Sequence, residues 1–190
     1  MGLTSLADGS RDVNRRAAQG LVRIEPMDLY QGTIGKRDRR TFLPEALPDE
    51  TLRRILQAGR MTPSSKNAEP NRFVVVTSDP GKAAVATLSA MAKWLADAAA
   101  IVILVQTQKH EFDAGRCAQN MMLAAYNDGV GSCPAHLPES ALGELLGIPA
   151  ELTINRVIGF GYINPDRAGA PPAVARKRLP LEELVHSESW

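Results

Sequence analysis

Three short apolar runs constrain this chain more than any other feature. RFVVVTS at 72–78, IVILVQ at 101–106 and NRVIGFGYI at 155–163 are rich in β-branched residues, with apolar side chains at consecutive rather than alternate positions. Strands of that kind are buried on both faces. The segments between them read as helices. DETLRRILQAGR at 49–60 opens with acids and sets Leu52, Ile55 and Leu56 on one face. An Ala-rich stretch predicts a long helix over roughly 81–99. DAGRCAQNMMLAAYNDG predicts another, with Asp113 near its start and Gly129 as its stop. PESALGELLG gives a shorter helix ended by Gly147 and Pro149. Strands that alternate with helices and are apolar on both sides predict a sheet covered by helices on each face.

The 190 residues suit one domain with a proper core. Residues 1–25 lack periodic apolar positions and read as a flexible N-terminal arm. Residues 26–190 form the domain, and the Pro-rich GAPPA sets off a tail, ARKRLPLEELVHSESW. Its apolar members Leu179, Leu181, Leu184, Val185 and Trp190 suggest packing on another subunit. No run of eighteen apolar residues and no signal-peptide core are present, so a cytoplasmic, non-membrane protein is expected. Cys117 and Cys133 are read as reduced thiols, and with three scattered histidines they give no zinc spacing.

Lys36, Arg37, Arg39 and Arg40 place four cations in five positions around Asp38. Such a cluster could hold nucleic acid, a small anion or only water. The formal net charge of +1 argues against nucleic acid. Two further polar islands lie in loops: PSSKN at 63–67, with Ser64, Ser65 and Asn67, and RKR at 176–178, with Arg176 and Arg178. Arginines offer paired donors to phosphate, and the serines and asparagine offer neutral hydrogen bonds to a ring edge or polyol. No nucleophile elbow, Walker loop or complete dinucleotide fingerprint occurs. Either the protein is a binder, or a cofactor carries the chemistry.

The ordered series MDLYQGTIGKRDRRTF, PSSKNAEPNRFVVV, QNMMLAAYNDGVGSCP, LGIP, GFGY and RKRLPLEEL resembles the nitroreductase-like FMN flavoproteins. The resemblance covers roughly residues 27–185. It implies an α+β fold: a three-layer α/β/α sandwich with a central mixed sheet, in an intertwined homodimer with FMN at the subunit interface. It implies NADPH or NADH as electron donor and a small organic acceptor such as a nitroaromatic or quinone, reduced by a ping-pong mechanism. No catalytic side chain is then needed, because flavin N5 carries the reaction. By this resemblance Lys36, Arg37 and Asp38 bind FMN, and Arg40 faces the pyrimidine side of its ring. Ser64, Ser65 and Asn67 lie on a flavin-contacting loop. Cys133, Pro134 and Ala135 put backbone near N5, and Arg176 and Arg178 grip the phosphate. The sequence departs from the family pattern with Lys36 for arginine, Asp38 for serine, Glu69 for glutamine and Asn71 for tryptophan. A flavin-storage protein without turnover, or a dehydrogenase or dehalogenase on the same fold, are the alternative readings.

Overall fold

The computed structural model of the protein describes residues 28–166 and 178–190. The N-terminal arm and Arg176 lie outside the described residues. The first element, helix α1 (Leu29–Gly35), is absent from the sequence-based expectation because Gly32 inside it and Gly35 at its end weaken its helical signal. Asp28 caps it by accepting the Gln31 N–H at 2.9 Å. Helix α2 (Asp49–Arg60) follows as expected. Strand β1 (Asn71–Val76) forms where expected but is not buried on both faces: it is the edge strand of the sheet, with only Val76 buried and Val75 exposed. Helix α3 (Asp79–Thr87) begins at a Ser78 cap with Pro80 in its first turn.

The single helix predicted over 81–99 is instead two pieces. Ser89 takes an extended conformation and its hydroxyl accepts the Met91 N–H, which starts a separate 3₁₀ segment, Ala90–Asp97. Alanine content alone carries no signal for such a break, because serine capping competes locally with helix continuation.

Strand β2 (Ala100–Gln106) is buried along its whole length. Helix α4 (Glu111–Asn127) is the longest element and ends before Gly129 at φ 74°. Strand β3 (Val130–Ala135) is a fourth strand that the sequence did not announce. Helix α5 (Glu139–Leu146) stops at left-handed Gly147, and strand β4 (Thr153–Tyr162) completes the sheet.

The sheet order is β1-β2-β4-β3, and all of these pairings are antiparallel. Among the described residues the mixed character expected of it is confined to one isolated parallel bridge, Asp38 with Ser132, on the outer edge of β3. The sheet sits between two apolar layers. One side packs Ile101, Ile103, Val105 and Val157 against Val85, Leu95 and Leu142. The other packs Val102, Leu104, Ile158 and Phe160 against Ile55, Cys117 and Met121 of α2 and α4. This is the expected α+β, three-layer α/β/α architecture. Among the described residues no helix is long and apolar enough to cross a membrane.

Candidate functional site

The extended backbone after α1 runs along the free edge of β3, where the Arg39 N–H donates to the Ser132 carbonyl at 2.9 Å. That bridge brings the 36–40 island onto the 133–135 segment, two of the sites read separately from the sequence. Beside that bridge lies a cavity of about 140 Å³, faced by Lys36, Arg37 and Arg39 on one side and by Gly131, Ser132 and Tyr126 on the other; Arg40, Cys133, Pro134 and Ala135 are not among its lining residues.

The cations of the island have different tasks. Lys36 Nζ lies 2.5 Å from Asp38 Oδ1 and 3.4 Å from Met122 Sδ, with its side chain only 8% exposed. Arg37 donates through Nη1 to the carbonyls of Ile34 at 2.7 Å and Lys36 at 2.8 Å, closing the end of α1. Arg40 is exposed and acts on Cys133. Burial pushes the Cys133 thiol up, and the Arg40 guanidinium opposes that shift by charge and by hydrogen bonding. Cys133 Sγ donates to the Pro134 carbonyl at 3.4 Å, so it is a buried packing group rather than an exposed nucleophile. Asp38 thus pairs with a lysine, not with a neighbouring arginine.

Sequence reasoning missed Ser132. It is 1% exposed, and its hydroxyl is the only buried side-chain polar atom without a hydrogen-bond partner among the described residues. Buried hydroxyls are almost always satisfied, so the orphan singles Ser132 out among the residues that line this cavity. The "GS" of GVGSCP was visible, but nothing in the sequence showed that the 36–40 backbone would cover it.

A donor set of guanidinium, ammonium and hydroxyl groups fits a phosphate monoester such as that of FMN. The cavity is smaller than the roughly 300 Å³ of a small complete ligand pocket. In one chain it therefore offers part of a site.

The 63–67 loop lies elsewhere. Ser65 donates its backbone N–H to Asp113 Oδ2 at 2.9 Å, and the Ser64 hydroxyl accepts the Glu69 N–H at 2.9 Å. Lys66, Asn67 and Glu69 all have φ near +50°, a conformation that non-glycine residues seldom adopt. The loop is thus anchored to the start of α4, while Lys36 contacts Met122 nine residues further along that helix. Nine residues of helix span about 13 Å, so one chain does not bring Ser64, Ser65 and Asn67 to the cavity. Arg178 is exposed, and no hydrogen bond or ion pair joins it to the 36–40 island among the described residues. Among the described residues no cluster of three metal-ligating side chains occurs.

Known proteins resemble this chain in sequence and in fold. A sequence model of the nitroreductase family matches residues 34–111 and 92–162. A protein of Archaeoglobus fulgidus with the provisional name NADH dehydrogenase/NAD(P)H nitroreductase is 27% identical over 140 residues, covering 67% of this chain and 80% of that protein. A provisionally named nitroreductase of Desulfovibrio desulfuricans, solved in complex with FMN, is 27% identical with a TM-score of 0.72. The match covers 87% of this chain and 99% of the other. An FMN-dependent nitroreductase of Clostridium difficile R20291 superposes with a TM-score of 0.73 at 20% identity, covering 85% and 100%, a likeness of fold. The chain belongs to the nitroreductase family.

Proposed function

We infer that the protein is a cytoplasmic, FMN-dependent oxidoreductase. It takes hydride from NADH or NADPH and reduces a small organic acceptor, a nitroaromatic, a quinone or a related compound. The observation that carries this reading is the cavity at the edge of a nitroreductase-type sheet, lined by Lys36, Arg37 and Arg39 together with Ser132, whose buried hydroxyl has no partner. The likeness to the FMN complex from Desulfovibrio desulfuricans supports it.

When bound, FMN supplies the hydride chemistry. The chain's residues bind and bias it. Arg37, Arg39 and Ser132 receive the phosphate end, joined by Arg176 and Arg178 of the tail. Arg40, beside Cys133, presents fixed positive charge to the ring and favours negative charge there. Pro134 has no N–H, and Cys133 and Ala135 pair with Gly159 and Val157 of β4, so this stretch offers the ring packing surface rather than backbone donors. Lys36 and Asp38 close the wall behind the phosphate.

The separation of the 63–67 loop from this cavity favours a homodimer, with Ser64, Ser65 and Asn67 completing the partner's site. Leu29, Tyr30 and Ile34 of α1 and the apolar tail residues Leu179, Leu181, Leu184 and Trp190 are all exposed in the single chain. They supply apolar surface for that association, with residues 26–190 acting as one domain.

The absorption spectrum of purified protein tests this function. The protein should be yellow, carry FMN and bleach on addition of NADH or NADPH. Colourless protein that cannot be reconstituted with FMN overturns the reading. The strained loop with Glu69 and Asn71 favours one second reading, flavin storage without turnover. Tightly bound FMN that neither nicotinamide reduces would establish it.

A further inference from the structure

We propose that Asp38 sets how tightly this chain holds the phosphate of its flavin, by keeping Lys36 engaged as its own counter-ion; this rests on the FMN reading above. Lys36 faces the cavity, yet its ammonium is already committed to Asp38 Oδ1 at 2.5 Å. The two residues are placed for this by the chain. Lys36 leaves α1 in an extended conformation, with φ −58° and ψ 135°, so residues 36 and 38 project to the same side. Met122 Sδ, 3.4 Å from the same nitrogen, closes another side of the ammonium.

An ammonium group has three N–H donors and no acceptor. A carboxylate at hydrogen-bond distance competes for those donors with any phosphate oxygen that enters the cavity. A phosphate monoester carries close to two negative charges at neutral pH, so it responds strongly to a cation gained or lost. With Asp38 present, the anion is held by Arg37, Arg39 and the Ser132 hydroxyl, and Lys36 contributes little net charge. Asp38 is 48% exposed, so it can be changed without opening the core.

The test uses full-length protein freed of flavin, titrated with FMN and with riboflavin, which lacks the phosphate, and read by quenching of flavin fluorescence. Asp38→Asn and Asp38→Ser should each bind FMN about tenfold tighter than wild type, the scale of one charge-assisted contact. Riboflavin affinity should not change. Adding Lys36→Met, a side chain compatible with the neighbouring Met122, should abolish the gain. An FMN affinity equal to or below wild type in both Asp38 variants overturns the proposal. So does a gain that riboflavin shares, or one that survives Lys36→Met. Wild-type protein that binds no FMN overturns the flavin reading itself, a failure seen before any variant is made.

Discussion

Asp113 accepts the backbone N–H of Ser65 at 2.9 Å, so the first turn of the longest helix holds the polar loop that precedes β1. The carboxylate is 4% exposed and lies 3.8 Å from Arg116. It restrains a loop in which three residues sit at positive φ, each at a cost on the order of 1–3 kcal/mol. Replacing Asp113 with alanine should lower stability by about 2 kcal/mol, the range for a hydrogen bond to a charged group. Asp113→Asn should recover part of that loss, because its amide oxygen still accepts. Urea denaturation measures both, and cleavage within 64–69 by a nonspecific protease should speed up in the alanine variant alone.

Ser132→Ala should have opposite effects on fold and ligand. The hydroxyl is buried without a partner, so removing it from the flavin-free protein should leave stability unchanged or raise it by up to about 1 kcal/mol. FMN binding should weaken several-fold. Thermal melts with and without FMN read the two effects separately. A variant destabilised in the flavin-free state would show that the hydroxyl has a structural partner.

Gly159→Ala should disturb one identifiable side chain. A Cβ there would lie 2.6 Å from Trp94 Cζ3 and 2.9 Å from Leu95 Cδ2. The indole must shift, at about 1–3 kcal/mol for overpacking. Trp190, the other tryptophan, is exposed in the single chain, so a Trp190→Phe background makes the change in tryptophan emission report Trp94 alone. Unchanged emission and stability together would mean that the 3₁₀ segment yields freely.

Burial pushes the Cys117 thiol up to about 11 from 9.0, with a Thr62 hydrogen bond opposing it. The folded protein therefore keeps this proton after the unfolded chain has released it. The stability that follows is complete below pH 9 and is lost progressively as pH rises from 9 to about 11. Wild type should lose up to about 3 kcal/mol more than Cys117→Ala over that window, at about 1.4 kcal/mol per pH unit. Parallel stability curves would remove Cys117 as the cause. The same burial predicts slow modification of both thiols by aromatic disulfides at pH 8 until the protein unfolds.

Strands β1, β2 and β4 were legible because they carry their own apolar, β-branched signal, although β1 lies at the sheet edge and is only partly buried. Strand β3 was not, since VGSCPA contains one β-branched residue, a glycine and a proline. It becomes a strand through its register with β4, from Val130 opposite Tyr162 to Ala135 opposite Val157. Tertiary pairing overrides weak local preference there. The site divided in the same way. The charges at 36–40 were plain as residue types, and the partner of Asp38 was not. Its pairing with Lys36 depends on a backbone path along β3 that only the fold supplies. The orphaned state of Ser132 likewise follows from what covers it.

Strand β1 ends the sheet, and among the described residues no strand pairs with its outer side. Its NRFVVV sequence has neither proline nor an acidic residue to discourage a newcomer, and Arg72 turns back to bond the Glu69 and Asn71 carbonyls. An open edge of this kind is a template for another chain's backbone. Keeping the protomer from polymerising and giving it a partner would thus be one physical requirement, which a segment docked along β1 would meet. Solubility and assembly should fail together when that covering is lost.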